Sequence, residues 1–321
     1  MHNMKTKSSW LITIVLTFMI ISLLQSLGII NNVGETVLIT IGINIILATS
    51  LNLIIGVTGQ FSLGHAGFMI IGAYATGVSL SLFSMDLKGV IVGIILGGII
   101  SALVSFLISL PILRLKGDYL AIATLGVGEI IRIVVLNLEV TNGAAGMILP
   151  KLISWQFIYV FVIFTLIILL NFSISSKGRA CIAIREDEIA AEAMGINTTK
   201  YKVMSFVIGA VFASVAGSLY AASFYVIKPD MFTFSKSIDI LVLVVFGGMG
   251  SYTGSVISAI IMSLINVFLQ QFAVLRTVIY GLALVLIMVF KPSGILGKKE
   301  FSFKALFDYL DQKKGAKVWV Y

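Results

Sequence analysis

Apolar blocks of about twenty residues recur along nearly the whole chain, divided by short polar stretches; one such block as a helix crosses a hydrocarbon core roughly 30 Å thick. They predict spans at Trp10–Ile30, Thr36–Gly56, Phe61–Phe83, Val90–Leu113, Tyr119–Leu138, Trp155–Phe172, Val203–Ile227, Ser237–Phe246, Ser251–Gln271 and Val274–Phe290. The eighth is too short to cross as a regular helix, so eight to ten crossings are expected in an all-α, polytopic membrane fold. Small residues repeat every fourth position on two spans: Gly89, Gly93, Gly97, Ser101, Ser105 and Ser109 on one, Gly209, Ala213, Gly217 and Ala221 on another. Such stripes let helix backbones approach closely in lipid and predict packing seams.

Two stretches break the apolar runs. "GVTGQFSLGHAG" from Gly56 and "FGGMGSYTGS" from Phe246 are rich in glycine and hydroxyl residues. Irregular backbone at membrane depth must be buried in protein or line a wet cavity. Broken or re-entrant segments are therefore expected near Gly59–Gly67 and Gly247–Gly254. A pair of glycine-interrupted spans in the two halves of a transporter points to its pathway. Gln60 and Ser62 supply polar groups there, and Asn44, Asn52 and His65 are further pathway candidates. The competing reading of those last three is hydrogen bonding between packed helices.

Composition supports a membrane-embedded chain. Of 321 residues 59% are hydrophobic and 11% charged, and the mean hydropathy is +1.10, which leaves no room for a separate soluble domain. One transmembrane domain over 1–321 is expected. The N-terminus imitates a signal peptide, but its apolar run is too long, and it reads as a retained first helix. The net charge of +8 reflects topology rather than a nucleic-acid partner, because the basic residues lie in short loops and at the ends. With the N-terminus inside, internal segments collect Lys5, Lys7, Arg114, Lys116, the Lys177–Lys202 group and the lysines of a tail at 291–321. Far fewer fall outside, so both termini are expected in the cytoplasm.

The longest internal loop, Ser173 to Lys202, carries Ile182, Ile184, Ile189, Ala193 and Met194 among charged residues. A short amphipathic helix from about Gly178 to Met194 is predicted, stopped by Gly195. It is either an interfacial helix or a docking segment. Within the fifth span Glu129 and Arg132 stand three apart and can pair on one face, as a structural clasp or part of a proton relay. Asp118 reads as the N-cap of that span.

No G-x-x-x-x-G-K-[ST] phosphate loop occurs, nor a nucleophile motif, and two histidines with the single Cys181 make neither a metal cluster nor a disulfide. The chain is not expected to be an enzyme or to hold a cofactor or metal.

"GQFSLGHAGFMIIGAYATG", "LRLKGDYLAIATLGVGEIIRIVVLN" and "SKGRACIAIREDEIAAEAMGIN" occur in that order, followed by "VFGGMGSYTGS". Together they closely resemble the membrane permeases of ABC importers for branched-chain amino acids, of the LivM-like type, over roughly Asn44 to Gly254. The resemblance implies that the 178–195 loop is the coupling helix meeting an ATPase, with Arg185, Glu186, Asp187, Glu188, Glu192 and Gly195 as contact candidates. It implies a second permease subunit, two cytoplasmic ATP-binding subunits that hold ATP and magnesium, an extracytoplasmic solute-binding protein, a plasma-membrane location, and leucine, isoleucine or valine as cargo. Relatives carrying urea or short amides share much of this pattern, and a stand-alone ion-coupled transporter is the alternative from another class. Where the family usually shows a Thr-Gly-Gly turn, this chain has "VTNGAAGM", Val140 to Met147, in which Asn142-Gly143 is itself a turn dipeptide.

Overall fold

The computed structural model describes residues 2–269 except 29, 84 and 116, together with 278, 279, 281, 282, 294, 295 and 297. Apart from those few positions, the expected span at Val274–Phe290 and the tail at 291–321 lie outside the described residues. The helices are α1 (His2–Ser26), α2 (Asn32–Asn52), α3 (His65–Leu82), α4 (Leu87–Ile112), α5 (Asp118–Asn137), α6 (Trp155–Ile174), α7 (Ser176–Glu186), α8 (Glu188–Ala193), α9 (Thr198–Ser223), α10 (Phe234–Gly247) and α11 (Tyr252–Phe268). Two short strands, β1 (Met147–Ile148) and β2 (Val226–Ile227), pair antiparallel, Met147 opposite Ile227. Six helices are long and apolar enough to cross a membrane, and Ile12–Ser26 and Tyr252–Phe268 are shorter apolar helices. This is an all-α polytopic membrane protein. Residues 36–298 form one compact unit, which carries everything described below, and α1 belongs to a second.

Within the larger unit the helices sort into two layers. α2, α3 and α9 bury 83, 72 and 67% of their apolar windows, whereas α4, α5 and α6 bury 22% each. Hydropathy follows the sorting in part: α4 and α6, the most hydrophobic at 2.7 and 2.6, are outer and α3, the least at 1.3, is inner, but α5 at 1.9 is outer while α2 at 2.2 and α9 at 1.9 are inner. The most hydrophobic helices are the ones suited to face lipid.

The small-residue stripe of α4 is its buried face: Gly89, Gly93, Gly97, Ser101, Ser105 and Ser109 are all buried, joined only by Val90. It packs against α3 and α9. Ser79 Oγ donates to Gly89 O at 2.9 Å and Ser101 Oγ to Ala210 O at 2.9 Å. A Cβ at Gly97 would lie 3.0 Å from Gly72 Cα. Between α3 and α9, Ser218 Oγ donates to Gly72 O at 3.1 Å, and a Cβ at Gly217 would strike the Met69 carbonyl. The seam is thus backbone against backbone, cross-linked by serine hydroxyls.

Several boundaries differ from expectation. Phe61 to Gly64 are not helical, and α3 begins at His65. The predicted Val203–Ile227 span begins earlier, at Thr198, because Asn197 Oδ1 accepts from Lys200 N at 3.0 Å and caps it; its predicted end is strand β2. Asp118 is the first residue of α5 rather than its cap: Gly117, at φ 59°, holds that position with no side-chain capping bond. The amphipathic loop helix is two helices, since Asp187 leaves helical geometry and accepts from Ile189 N and Ala190 N at 2.9 and 3.0 Å. It thereby starts α8. Gly195, at φ 83°, closes α8 in the left-handed conformation, with Ile196 N donating to Ala191 O and Gly195 N to Glu192 O. The Asn142-Gly143 turn is present, both residues having positive φ and Asn142 Nδ2 donating to Gly146 O at 2.8 Å.

Candidate functional site

The first break lies at the end of α2. Leu53–Val57 widens into a π-helix, and Gly59 N and Gln60 N donate back to Ile55 O and Ile54 O. Thr58 to Gly64 then run without regular structure to α3. His65 Nε2 lies 2.9 Å from Ser50 Oγ. Since Ser50 precedes Val57 by about two helical turns, roughly 10 Å, the chain doubles back and α3 starts deep inside the bundle. Neighbouring helices satisfy the freed backbone: Leu63 N donates to Thr124 Oγ1 at 3.0 Å and Ala66 N to Ser237 Oγ at 3.2 Å. Close approach fixes the glycines here. A Cβ at Gly64 would strike Thr124 O, and one at Gly67 would lie 2.6 Å from Gly128 Cα.

The second break, between α10 and α11, meets the first. Gly248 and Gly250 turn the chain at φ 116° and 97°, and Ser251 Oγ accepts from Gly254 N at 3.0 Å to start α11. Asn52, fully buried, clasps this turn with both ends of its amide: Gly250 N donates to Oδ1 at 2.8 Å, and Nδ2 donates to Ser251 O at 2.9 Å. A Cβ at Gly56 would overlap both Asn52 Oδ1 and Gly250 N, so only glycine fits between the two breaks. Beyond the turn, Tyr252 Oη lies 2.7 Å from Ser173 Oγ, just before α7.

α7 lies against this junction. Its buried face carries Gly178, Cys181 and Ile184. Burial pushes the Cys181 thiol up, and Sγ rests 3.8 Å from Tyr201 O. One turn on, Arg185 turns inward: Nη1 donates to Gly56 O, while Nε and Nη2 reach Glu186 Oε1 at 3.2 and 2.6 Å. The acidic residues of the loop are largely engaged within the chain. Glu188 pairs with Lys202 at 2.5 Å, Glu192 accepts from Thr198 Oγ1 at 2.6 Å, and Asp187 caps α8. Beside the exposed Asp187 and Glu192, α8 and its C-cap present two apolar side chains outward: Ile189 is 77% and Met194 83% exposed.

The remaining candidates are placed as follows. Asn44 Nδ2 donates to Ser263 Oγ on α11 at 2.9 Å. Ser62 and Gln60 are buried, and neither amide atom of Gln60 has a hydrogen-bond partner among the described residues. An unsatisfied buried polar group costs about 1–3 kcal/mol, so Gln60 stands out, together with His65 Nδ1, which also lacks a partner among the described residues. On α5, Arg132 Nε contacts Glu129 Oε2 at 2.8 Å and Nη1 lies 3.5 Å from Asp230. Glu129 Oε1 also accepts from Phe234 N at 3.2 Å. The pair is therefore a cluster that holds the start of α10. Among the described residues no group of three or more His, Cys, Asp or Glu side chains could hold a metal ion.

Sequence reasoning missed Asp230, Ser237, Thr124 and the Asn52 clasp, because each joins segments far apart in the chain. For Ile189 and Met194 a signal was present: both are apolar residues in a charged loop.

Buried, glycine-built breaks inside a bundle of apolar helices define a polytopic membrane protein. The sequence places it further. Residues 34–289 match the model of the family described as branched-chain amino acid transport system / permease component, and the chain belongs to that family. It is 34% identical over 277 residues to the high-affinity branched-chain amino acid transport system permease protein LivM of Salmonella typhimurium, covering 75% of this chain and 64% of that protein. The LivM protein of Escherichia coli is 33% identical with the same coverage. The LivH permease protein of Salmonella typhimurium is 27% identical over 275 residues, 76% of this chain and 88% of the relative. The chain thus spans about two thirds of the length of its LivM relatives. No solved structure matches it.

Proposed function

We propose that the chain is a permease subunit of an ATP-driven importer of branched-chain amino acids in the plasma membrane. It works beside a second permease subunit, above two cytoplasmic ATP-binding subunits and below an extracytoplasmic solute-binding protein. The chain hydrolyses nothing; ATP and magnesium belong to the partner ATPases. The observation that carries this reading is the junction where two glycine-rich breaks and α7 meet. It places irregular, hydrogen-bonded backbone in the interior, next to a short amphipathic segment suited to being gripped from outside the membrane.

The lysine and arginine distribution supports a cytoplasmic α7–α8 end and cytoplasmic termini. ATP-driven movement of the ATPases displaces the 178–195 segment, and rigid-body motion opens the pathway alternately to each side. Glu186, Asp187, Glu188, Glu192 and Gly195 shape the docking surface, and Arg185, turned inward to Gly56 O, supports it from behind. Their internal bonds suggest that Ile189 and Met194 are its apolar contacts. Asn44, Asn52, Gln60, Ser62 and His65 border the pathway, and the unpaired amide of Gln60 is the group best able to meet a passing polar cargo or water.

The test is uptake by proteoliposomes holding the complete transporter and its binding protein. Leucine uptake should require internal ATP, survive an uncoupler, and resist competition by urea or acetamide. Uptake that ignores ATP and collapses with the uncoupler would instead establish an ion-coupled transporter. Ile189→Asp with Met194→Asp should abolish co-purification of the ATPases while the permease stays monodisperse.

A further inference from the structure

We infer that Arg185 is the positioning residue through which movement of α7 reaches both helix breaks at once. The inference rests on the reading of the α7–α8 segment as the part an ATPase grips. Within the first break, Arg185 donates to Gly56 O, in the last turn of the π-helix. The end of a helix leaves carbonyls without intrahelical donors, and the guanidinium supplies one. Its stem lies against Gly59, where a Cβ would come within 2.8 Å of Arg185 Cγ. Toward the second break, a Cβ at Gly250 would lie 3.1 Å from Arg185 Nη1. One side chain thus occupies the space that side chains at both glycines would need.

Both glycines have positive φ, 75° at Gly59 and 97° at Gly250. They serve the turn of the chain and the passage of the guanidinium together. Asn52 adds the rigid link, since its amide bonds tie the α2 end to Gly250 and Ser251. Displacement of α7 must therefore either break the Arg185–Gly56 bond or carry the two breaks together. An arginine suits the task because its planar fork donates to a carbonyl on one side while Glu186 fixes its other nitrogens. The other charged groups of α8 are held elsewhere, Glu188 by Lys202 and Glu192 by Thr198, and do not compete for it.

The chain's single cysteine reports on this directly. Cys181 is buried one turn before Arg185 on the same face of α7, and its thiol is held up by burial. Loosening α7 exposes it and raises its rate of alkylation at pH 7. The experiment compares wild type, Arg185→Gln and Arg185→Lys, in membranes for N-ethylmaleimide alkylation and in the reconstituted transporter for leucine uptake per ATP hydrolysed. Arg185→Gln should raise alkylation about fivefold and lower the uptake ratio roughly tenfold. Arg185→Lys, which keeps a donor for Gly56 O, should fall within about threefold of wild type on both.

Equal alkylation in all three proteins overturns the inference, whatever uptake does. So does loss of ATPase co-purification by the Gln and Lys variants alike, which would make Arg185 a docking residue. Should Arg185→Gln not give monodisperse protein, Glu186→Gln decides: an alkylation rise of about twofold supports the inference and no rise overturns it. Alkylation needs no partner subunit. A wild-type complex without ATP-driven uptake would therefore refute the importer reading while the labelling still judged the contact.

Discussion

Two glycine-rich regions of this molecule are built from the same residues to opposite ends. In the seam of α3, α4 and α9, glycines and serines sit inside regular helices, and the neighbour each meets is another backbone. At the junction of the two breaks, glycines lie at or beside helix ends, and single side chains, Asn52 at Gly56 and Arg185 at Gly59 and Gly250, press on them alongside backbone neighbours. A seam of continuous helices has no cheap way to open, because every turn contributes contact. The junction depends on a handful of hydrogen bonds between segments distant in sequence, and so can exchange one arrangement for another. Glycine alone marks neither; what matters is whether a helix continues through it.

The largest effect should come from the seam. Gly217→Leu drives a side chain into the Met69 carbonyl, an overpacking cost above roughly 3 kcal/mol in a place that cannot relax, and the variant should fail to survive size-exclusion chromatography. A monodisperse Gly217→Leu protein would show the seam to be looser than its geometry. Next comes Asn52→Ala, which strands the Gly250 N–H in the interior, while the Ser251 carbonyl keeps its bonds from Ser255, and should cost about 1–3 kcal/mol. Its heat stability in detergent should fall by less than that of Gly217→Leu, yet leucine uptake should disappear. If Asn52→Ala loses stability without losing transport, the junction is merely structural. The smallest change is Ser101→Ala, which removes one interhelical hydrogen bond to Ala210 O and should cost about 0.6 kcal/mol, with uptake kept near wild type.

Periodicity makes the seam readable from sequence. Positions four apart on α4 share a face, so the stripe from Gly89 to Ser109 can be drawn from its spacing alone, and it is the buried face. The breaks are readable as places, since glycine and hydroxyl residues interrupt apolar runs only at a cost, but their meeting is not. Nothing local in "GVTGQF" or "FGGMGS" says that Asn52 clasps Gly250, because long-range pairing leaves no periodic trace in either segment. The loop helix departs from its pattern for a different reason. Asp187 stands within a run whose apolar spacing continues past it, and its side chain captures two backbone N–H groups that a continuous helix would have used differently. The acidic loop residues stand out in the sequence as charges, whereas the fold employs them as caps and internal partners and leaves Ile189 and Met194 outward.

The Asn52 clasp has a consequence for the order in which the molecule is made. Its two halves are 198 residues apart, and a ribosome delivers α2 long before the turn at Gly250 exists. Until then the amide of Asn52 has no partner in that turn and must be satisfied by water or by transient neighbours, whereas the Gly56 carbonyl waits only for Arg185. The end of α2 therefore remains unfinished through most of synthesis, and the arrival of the second break completes a structure begun at residue 52.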